Sequence, residues 1–235
     1  MFKKSRHPKD PPPLPVPGTV NSLREQPRHP GRYMVEIGNV PVGPLSAESI
    51  GALGLAKGRE VDEALLQRVV AAARAVACYD KAVAALARRA RPRADLERWL
   101  RQREFGGEEI APALDKLTEL GLLDDLAFAR SYAASRTVGR GFGRRRVAAE
   151  LARKGVPRPI VDQVLGDLAE ELETSEPEAM EAAAEKRARS LRGLEPEVAQ
   201  RRLLGWLVRR GCDSRDALSI ARRLFPLSRS PGARR

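Results

Sequence analysis

Apolar residues at helical spacing dominate the chain between Asp62 and about Ala90, where neither glycine nor proline occurs. One stripe recurs at intervals of three and four residues: Leu65, Val69, Ala72, Val76, Tyr79, Val83 and Leu86. This spacing predicts a single helix of about 29 residues. The stripe is rich in Ala and Val and poor in Leu, which favours packing against helices of the same chain over a coiled-coil homodimer.

The segment before this helix has the period of a strand. Residues 32–42, RYMVEIGNVPV, alternate apolar and polar positions around Gly38-Asn39, which predicts a short β-hairpin and the only sheet in the chain. A short helix should follow, with Ser46 as its N-cap and Gly54 at its end. We place the hairpin and this helix within residues 32–60.

The two ends of the chain are expected to be tails. Residues 1–31 contain eight prolines and few apolar side chains, so they cannot bury enough surface to offset the entropy of ordering. We therefore interpret residues 1–31 as a disordered basic tail. Residues 228–235 are interpreted as a basic C-terminal tail.

Three segments, 95–117, 146–168 and 202–224, resemble one another. Each carries an apolar pair four residues apart and then a single small or apolar anchor: Leu96/Leu100 with Phe105, Val147/Leu151 with Val156, and Leu203/Leu207 with Cys212. Another helical stretch precedes each segment, which gives three helices per repeat and a period of about 50 residues.

This self-similarity predicts an all-α fold, an elongated array of three tandem three-helix repeats in which each unit buries its apolar face against its neighbours. We assign residues 61–123 to the long helix and repeat 1, residues 124–176 to repeat 2 and residues 177–227 to repeat 3. A helix–turn–helix DNA-binding motif is the competing interpretation of any one copy. Three copies in tandem favour the stacked array.

The turns within the repeats carry suitable residues. Gly155 and Gly211 fall just past a helix end, where a left-handed backbone favours a residue without a β-carbon. Asp213 is placed to cap the last helix. Repeat 1 departs from the pattern, because Glu104 stands where the other repeats have glycine, so its turn is expected to be longer.

Two adjacent carboxylates, Asp124 and Asp125, interrupt an apolar helical pattern. Gly121 is expected to end one helix and Leu122-Leu123 to enter the core, after which Asp124 caps the next helix and Asp125 lies in its first turn. A metal site or an acid–base pair would need further ligands or a base. The two histidines, His7 and His29, fall in the predicted tail, so we expect no catalytic residue, metal or cofactor and no enzyme activity.

The composition of the chain limits the classes of partner and the cellular location that we expect. The net charge is +12 and the pI is about 10.4, which favours a polyanion or an acidic protein surface. Cys78 and Cys212 lack metal-ligand spacing and are expected to be reduced packing residues. With no signal peptide and no apolar run of about 18 residues, we expect a cytoplasmic protein that does not insert into membranes.

Three stretches, YDKAVAALARRARP, LTELGLLDDLAFARSYAASR and RRRVAAELARKGV, closely resemble the bacterial RecX family, which regulates the RecA recombinase. The pattern GLLDD..FA..Y...R, from Gly121 to Arg136, is the most specific. The resemblance covers about residues 32–225, although the family normally has Ser at Pro92 and Gly at Glu104.

The resemblance implies an elongated array of three-helix repeats that lies along the groove of a RecA filament on single-stranded DNA. We expect the protein to be a monomer. It would block filament extension or promote disassembly, and so restrain recombinase and coprotease activity in DNA repair and the SOS response. Binding to bare single-stranded DNA should be weak and independent of sequence.

The residues themselves indicate where binding would occur. Seven cations cluster within nineteen residues around repeat 2: Arg136, Arg140, Arg144, Arg145, Arg146, Arg153 and Lys154. The stretch GRGFGRRR lacks the order of a nucleotide-binding P-loop, so contacts to phosphate or carboxylate groups are the better interpretation. A solvated arginine-rich surface is the alternative.

Further cations extend this assignment. Arg88, Arg89 and Arg91 match the family's basic run, although a cation near a helix C-terminus also interacts with the helix dipole. Arg209 and Arg210 add positive charge in repeat 3. Trp99 and Trp206 are interpreted as core or groove-lining residues, and stacking on unpaired bases is the weaker alternative.

An acidic segment separates the basic repeats. Residues 167–185 contain eight acidic residues and no Lys or Arg. We expect a helix break at Ser175–Pro177 within this segment. Our hypothesis is that it forms a hinge before repeat 3 and disfavours wrapping on DNA alone.

Overall fold

The computed structural model describes residues 14–140, 142–171 and 176–227. Two compact units divide the chain. The first contains residues up to Arg89 together with Leu96–Leu122, and the second contains Ala90–Asp95 and the residues from Leu123 onward. The described part is mostly helical, with ten α-helices and one small antiparallel sheet. A helical fold preceded by strands agrees with the prediction, but the sheet has four strands where only a hairpin was expected.

Four strands form the sheet of the first unit. They are β1 (Gly18–Gln26), β2 (His29–Ile37), β3 (Val40–Ser46) and β4 (Glu60–Val61), in the order β3-β2-β1-β4. The predicted hairpin is confirmed as β2–β3, and both Gly38 and Asn39 have positive φ at its turn.

The assignment of residues 1–31 to a disordered tail is wrong from Gly18 onward, because β1 and the start of β2 occupy this region. Two of the eight prolines that suggested disorder lie between the start of the β1–β2 turn and the start of β2, where strands tolerate them. Pro27 is in the turn between β1 and β2, and Pro30 is in the irregular stretch after it. There no regular ladder hydrogen bond is required. Residues 1–13 of that tail, and the whole of the predicted tail 228–235, lie outside the described residues.

One face of the sheet packs on the long helix. After α1 (Ala47–Leu53) comes α2 (Glu63–Arg88), and Val35, Ile37 and Leu45 are fully buried in a cluster with Val69 of α2. The Arg32 guanidinium of β2 donates hydrogen bonds of 2.7–3.1 Å to the Asp80 carboxylate of α2. The predicted cap is confirmed at Ser46, which accepts a backbone N–H in the first turn of α1. Asp62, which was not predicted as a cap, does the same for α2.

Eight further helices follow α2 in the described part of the chain. They are α3 (Arg93–Arg101), α4 (Gly107–Glu119), α5 (Asp125–Arg140), α6 (Arg144–Lys154), α7 (Arg158–Glu171), α8 (Glu176–Arg189), α9 (Pro196–Arg209) and α10 (Ser214–Leu224). None of the helices in the described ranges combines the length and apolarity needed to cross a membrane.

The predicted apolar pairs are the core of these helices. All six residues, Leu96/Leu100, Val147/Leu151 and Leu203/Leu207, are fully buried. Separate clusters hold α5–α7 and α8–α10 together. That all three helix triplets are copies of one unit stays a prediction. Of the expected break at Ser175–Pro177, Ser175 lies outside the described residues, and Glu176 and Pro177 are the first residues of α8.

The adjacent aspartates cap two different helices. The Asp124 carboxylate accepts the backbone N–H groups of Leu126 and Ala127 at 2.8 and 2.9 Å, which confirms it as the cap of α5. The Asp125 carboxylate accepts the Arg93 N–H, at the start of α3, at 2.7 Å. Leu123 is buried as predicted, but Leu122 is 54% exposed, so its assignment to the core is wrong.

The turn after α3 reaches the left-handed conformation without glycine. Glu104 has φ +65°, close to the +88° of Gly155 and the +91° of Gly211 at the corresponding positions. The expected longer turn is confirmed, because α3 and α4 are separated by residues 102–106, whereas α6 and α7 are separated by residues 155–157. A side chain at this φ costs about 1 kcal/mol relative to glycine.

Glu104→Gly should therefore raise the free energy of unfolding by about 1 kcal/mol, because glycine removes the strain of a β-carbon in the left-handed region. Urea denaturation measures the change. Glu104→Ala is the matched control, since it removes the carboxylate but keeps the β-carbon, and it should leave stability nearly unchanged. Equal stability of the two variants would contradict this explanation.

Candidate nucleic-acid interface

The predicted cations do not form one uniform surface. Arg88 and Arg89, both exposed, lie at the end of α2 in the first unit, and the others lie in the second. Arg91 is only 11% exposed, and its guanidinium contacts the Asp95 carboxylate at 2.7 Å. It therefore stabilises the start of α3 and is poorly placed to meet a partner.

A partly buried carboxylate organises the basic region of the second unit. Glu150 of α6 is 12% exposed. It accepts a hydrogen bond from the Tyr132 hydroxyl at 2.8 Å and one from Arg146 Nε at 3.1 Å, and Arg136 Nε lies 3.5 Å away. Burial opposes ionisation of Glu150, but the hydrogen bonds from Tyr132 and Arg146 and the charges of Arg136 and Arg146 outweigh it, so the pKa of Glu150 is lowered.

Aromatic rings alternate with the cations of this region. The guanidinium carbons of Arg146, Arg210 and Arg136 lie 3.7, 5.6 and 5.9 Å from the centroid of the Phe142 ring. The Lys154 ammonium lies 5.2 Å from the Tyr132 ring. Cations this close to a ring face are attracted by its quadrupole, so like charges from α5, α6 and α9 are held together without a carboxylate for each.

The end of α9 contacts the start of α6. The Gly143 N–H donates to the Arg210 carbonyl at 2.7 Å, and the Arg146 guanidinium donates to the Arg209 carbonyl. Arg145 pairs with Asp213 at 2.8 Å. Burial and the neighbouring charge of Arg146 both lower the pKa of Arg210, which reflects the positive potential at this contact.

Gly211 permits this approach. Its φ is +91°, and a β-carbon there would lie 2.7 Å from Arg146 Cβ and 2.9 Å from the Arg146 nitrogen. The glycine predicted as a helix stop is thus also required by the packing of α9 on α6.

The other predicted cations keep their charges nearer to solvent. Arg144, Arg145, Arg153 and Arg209 are exposed, and Lys154 is half-buried. The pair between Arg145 and Asp213 is 76% and 41% exposed, so it contributes little stability. Arg140 ends α5, and its side chain lies outside the described part of the chain.

Sequence reasoning missed the residues that hold this cluster together. Glu150, Tyr132 and Phe142 were not among the predicted site residues. The i,i+4 spacings of Tyr132 to Arg136 and of Arg146 to Glu150 were the available signal. The approach of Arg210 to Phe142 joins residues far apart in sequence, so no local pattern indicated it.

A cleft with charged side chains in its lining lies in this region. A cleft of about 310 Å³ between α6, α8 and α10 contains Arg144, Arg145, Asp213, Asp216 and Cys212. Two carboxylates near it are engaged in ion pairs, Asp213 with Arg145 and Glu181 with Arg223. Among the described residues, no group of three or more His, Cys, Asp or Glu side chains could hold a metal ion.

Gly211→Ala should lower the free energy of unfolding by about 2 kcal/mol, because it adds both backbone strain and a clash with Arg146. Urea denaturation measures this loss. Gly166→Ala is the control, since no atom lies within 4 Å of the added carbon in the middle of α7, and it should leave stability unchanged or slightly raised. A tolerated Gly211→Ala would show that α9 does not pack on α6 in this way.

Glu150→Gln should destabilise the protein by about 2 kcal/mol at neutral pH, because two arginines lose their partly buried carboxylate. The folded pKa of Glu150 is lowered, so its contribution is present above the unfolded pKa of about 4.3 and is lost as pH falls through the folded value. Urea denaturation at pH 7 and at about pH 3 tests this. Glu185→Gln, on the exposed face of α8, should change stability at neither pH.

The comparisons with known proteins agree with this architecture. Family models for RecX match residues 78–117 as the first three-helix domain and residues 124–165 as the second. A solved structure described as regulatory protein RecX has a TM-score of 0.67 at 22% identity and covers 86% of this chain and 98% of its own. A second, RecX from Lactobacillus salivarius, has a TM-score of 0.54 at 22% identity and covers 64% of this chain and 96% of its own.

Curated relatives are more similar in sequence. Regulatory protein RecX of Thermobifida fusca is 38% identical over 141 residues, which span 58% of this chain and 72% of that protein. Regulatory protein RecX of Chlorobaculum tepidum is 39% identical over 134 residues, 57% of this chain and 79% of that protein. These matches in sequence and fold place the chain in the RecX family of regulatory proteins.

Proposed function

We propose that this protein is a non-enzymatic, cytoplasmic regulator that binds RecA filaments on single-stranded DNA as a monomer and inhibits or disassembles them. It would thereby restrain recombinase and coprotease activity in DNA repair and the SOS response. The observation that carries the proposal is the preorganised positive cluster of α5, α6 and α9 in a member of the RecX family.

In this proposal, cations that are held in place and cations that are exposed have different roles. Arg146 and Arg210 are fixed by Phe142 and by the contact of α6 with α9. Exposed cations such as Arg144, Arg145 and Arg153 can adjust to a partner surface. A filament offers both phosphate groups and protein carboxylates, and arginine binds either through paired N–H donors.

The acidic segment 167–185 supports a preference for the composite filament over bare DNA. Its negative charge follows the basic residues of α6 in sequence, and like charges repel a nucleic-acid backbone. In the proposal, this repulsion keeps the affinity for DNA alone low and independent of sequence.

The Arg144→Ala/Arg145→Ala/Arg153→Ala triple variant should need about tenfold more protein than wild type to accelerate filament disassembly, because it loses three exposed charges. Arg146 stays unchanged because it supports the fold. The matched control, Arg189→Ala/Arg192→Ala/Arg222→Ala, removes the same charge from exposed positions of α8, the following turn and α10 and should behave as wild type. RecA-catalysed ATP hydrolysis and filament disassembly kinetics on single-stranded DNA give the readout.

Three results would contradict the proposal. Wild type without effect on filaments would refute the function, and equal loss in both triple variants would refute the assigned surface. Tight binding to one defined duplex would instead support a stand-alone helix–turn–helix protein. In that case the logarithm of the binding constant should fall with the logarithm of the salt concentration, with a slope of about 0.9 per phosphate contacted.

A further inference from the structure

Both tryptophans of the chain carry a stacked arginine four residues later. The Arg103 guanidinium carbon lies 3.5 Å from the centroid of the Trp99 ring, and that of Arg210 lies 4.1 Å from the Trp206 ring. Both indoles are half-buried. Each pair lies within its own unit, and we refer to the two as the Trp–Arg pairs.

The two pairs occupy corresponding positions. Trp99 directly precedes buried Leu100 in α3, and Trp206 directly precedes buried Leu207 in α9. Each arginine then falls in the turn or cap that follows its helix. At the corresponding position between them, Lys154 ends α6 beside the Tyr132 ring. A cation beside an aromatic face therefore recurs after α3, α6 and α9.

Stacking fixes the orientation of these cations. Arg103 also donates a hydrogen bond to the Trp99 carbonyl at 3.0 Å, and the Arg210 guanidinium carbon lies 5.6 Å from the centroid of the Phe142 ring as well. A guanidinium whose plane is already held loses less entropy on binding. Burial, and to a smaller extent the charge of Arg146, lowers the pKa of Arg210.

We propose that the Trp–Arg pairs are contact points for single-stranded nucleic acid, with one phosphate bound by each guanidinium and an unpaired base stacked against the pair. Indole and guanidinium planes both stack on bases. A protein carboxylate would use the positive charge alone and would gain nothing from the indole. This inference rests on the proposed function and assigns the nucleic-acid part of the filament to these pairs.

Intrinsic fluorescence tests each pair, because the chain has two tryptophans. In Trp206→Phe the remaining Trp99 reports on its own pair, and in Trp99→Phe the remaining Trp206 does so. Titration with oligo(dT) at low salt should quench either reporter in a saturable way. Adding Arg103→Ala to the first variant, or Arg210→Ala to the second, should weaken binding about tenfold and reduce the quenching.

Matched controls separate local contacts from net charge. The controls are Arg101→Ala and Arg222→Ala. Arg101 lies beside the first pair, and its guanidinium contacts the Glu97 carboxylate. Arg222 lies on the exposed face of α10. Each removes one positive charge without touching an indole, so affinity should stay within about twofold of the parent. Circular dichroism melting curves confirm that all variants are folded.

The outcomes distinguish the two proposals. Unquenched reporters, or equal losses in Arg103→Ala and Arg101→Ala, would overturn the Trp–Arg pairs while wild-type filament disassembly still stood. Quenching by polyglutamate but not by oligo(dT) would overturn them in favour of an acidic protein partner. Saturable quenching by oligo(dT) in a protein without effect on filaments would uphold the pairs and refute the proposed function.

Discussion

The candidate surface depends on the position of one side chain, Arg146. Its Nε donates to Glu150 within α6, and its guanidinium also donates to the Arg209 carbonyl at the end of α9. The same guanidinium lies on the Phe142 ring, and only a glycine at position 211 leaves room for its backbone. Arg146, which was predicted to bind a partner, therefore also links the start of α6 to the end of α9.

This arrangement explains how several positive charges can stay close together. Glu150 neutralises part of the charge of Arg136 and Arg146, and ring faces stabilise the rest at a smaller desolvation cost than additional buried carboxylates would require. The C-terminal carbonyls of α9 also carry partial negative charge, and they face Arg146. The positive charge that these groups do not neutralise would attract an external anion.

Much of the fold could be predicted because its signals are local. The caps at Ser46 and Asp124 and the buried apolar pairs follow from spacing and residue type over a few positions. The first strand was missed because the prolines on either side of it indicated a disordered tail, although the strand itself contains none. Its partner strand and packing helix lie farther along the chain. The candidate site was predicted as a region only, since burial of Arg91 and Arg136 depends on their contacts with Asp95 and with Glu150 and Tyr132.

The carboxylates of Asp124 and Asp125 connect two helix starts that are far apart in sequence. One satisfies the first turn of α5, and its neighbour accepts the N–H of Arg93. A residue inserted between them would rotate the second carboxylate by about 100° around the helix and leave one start without its acceptor. An insertion between these two residues should therefore destabilise the protein more than an insertion in an exposed loop. Family members with insertions are expected to carry them elsewhere.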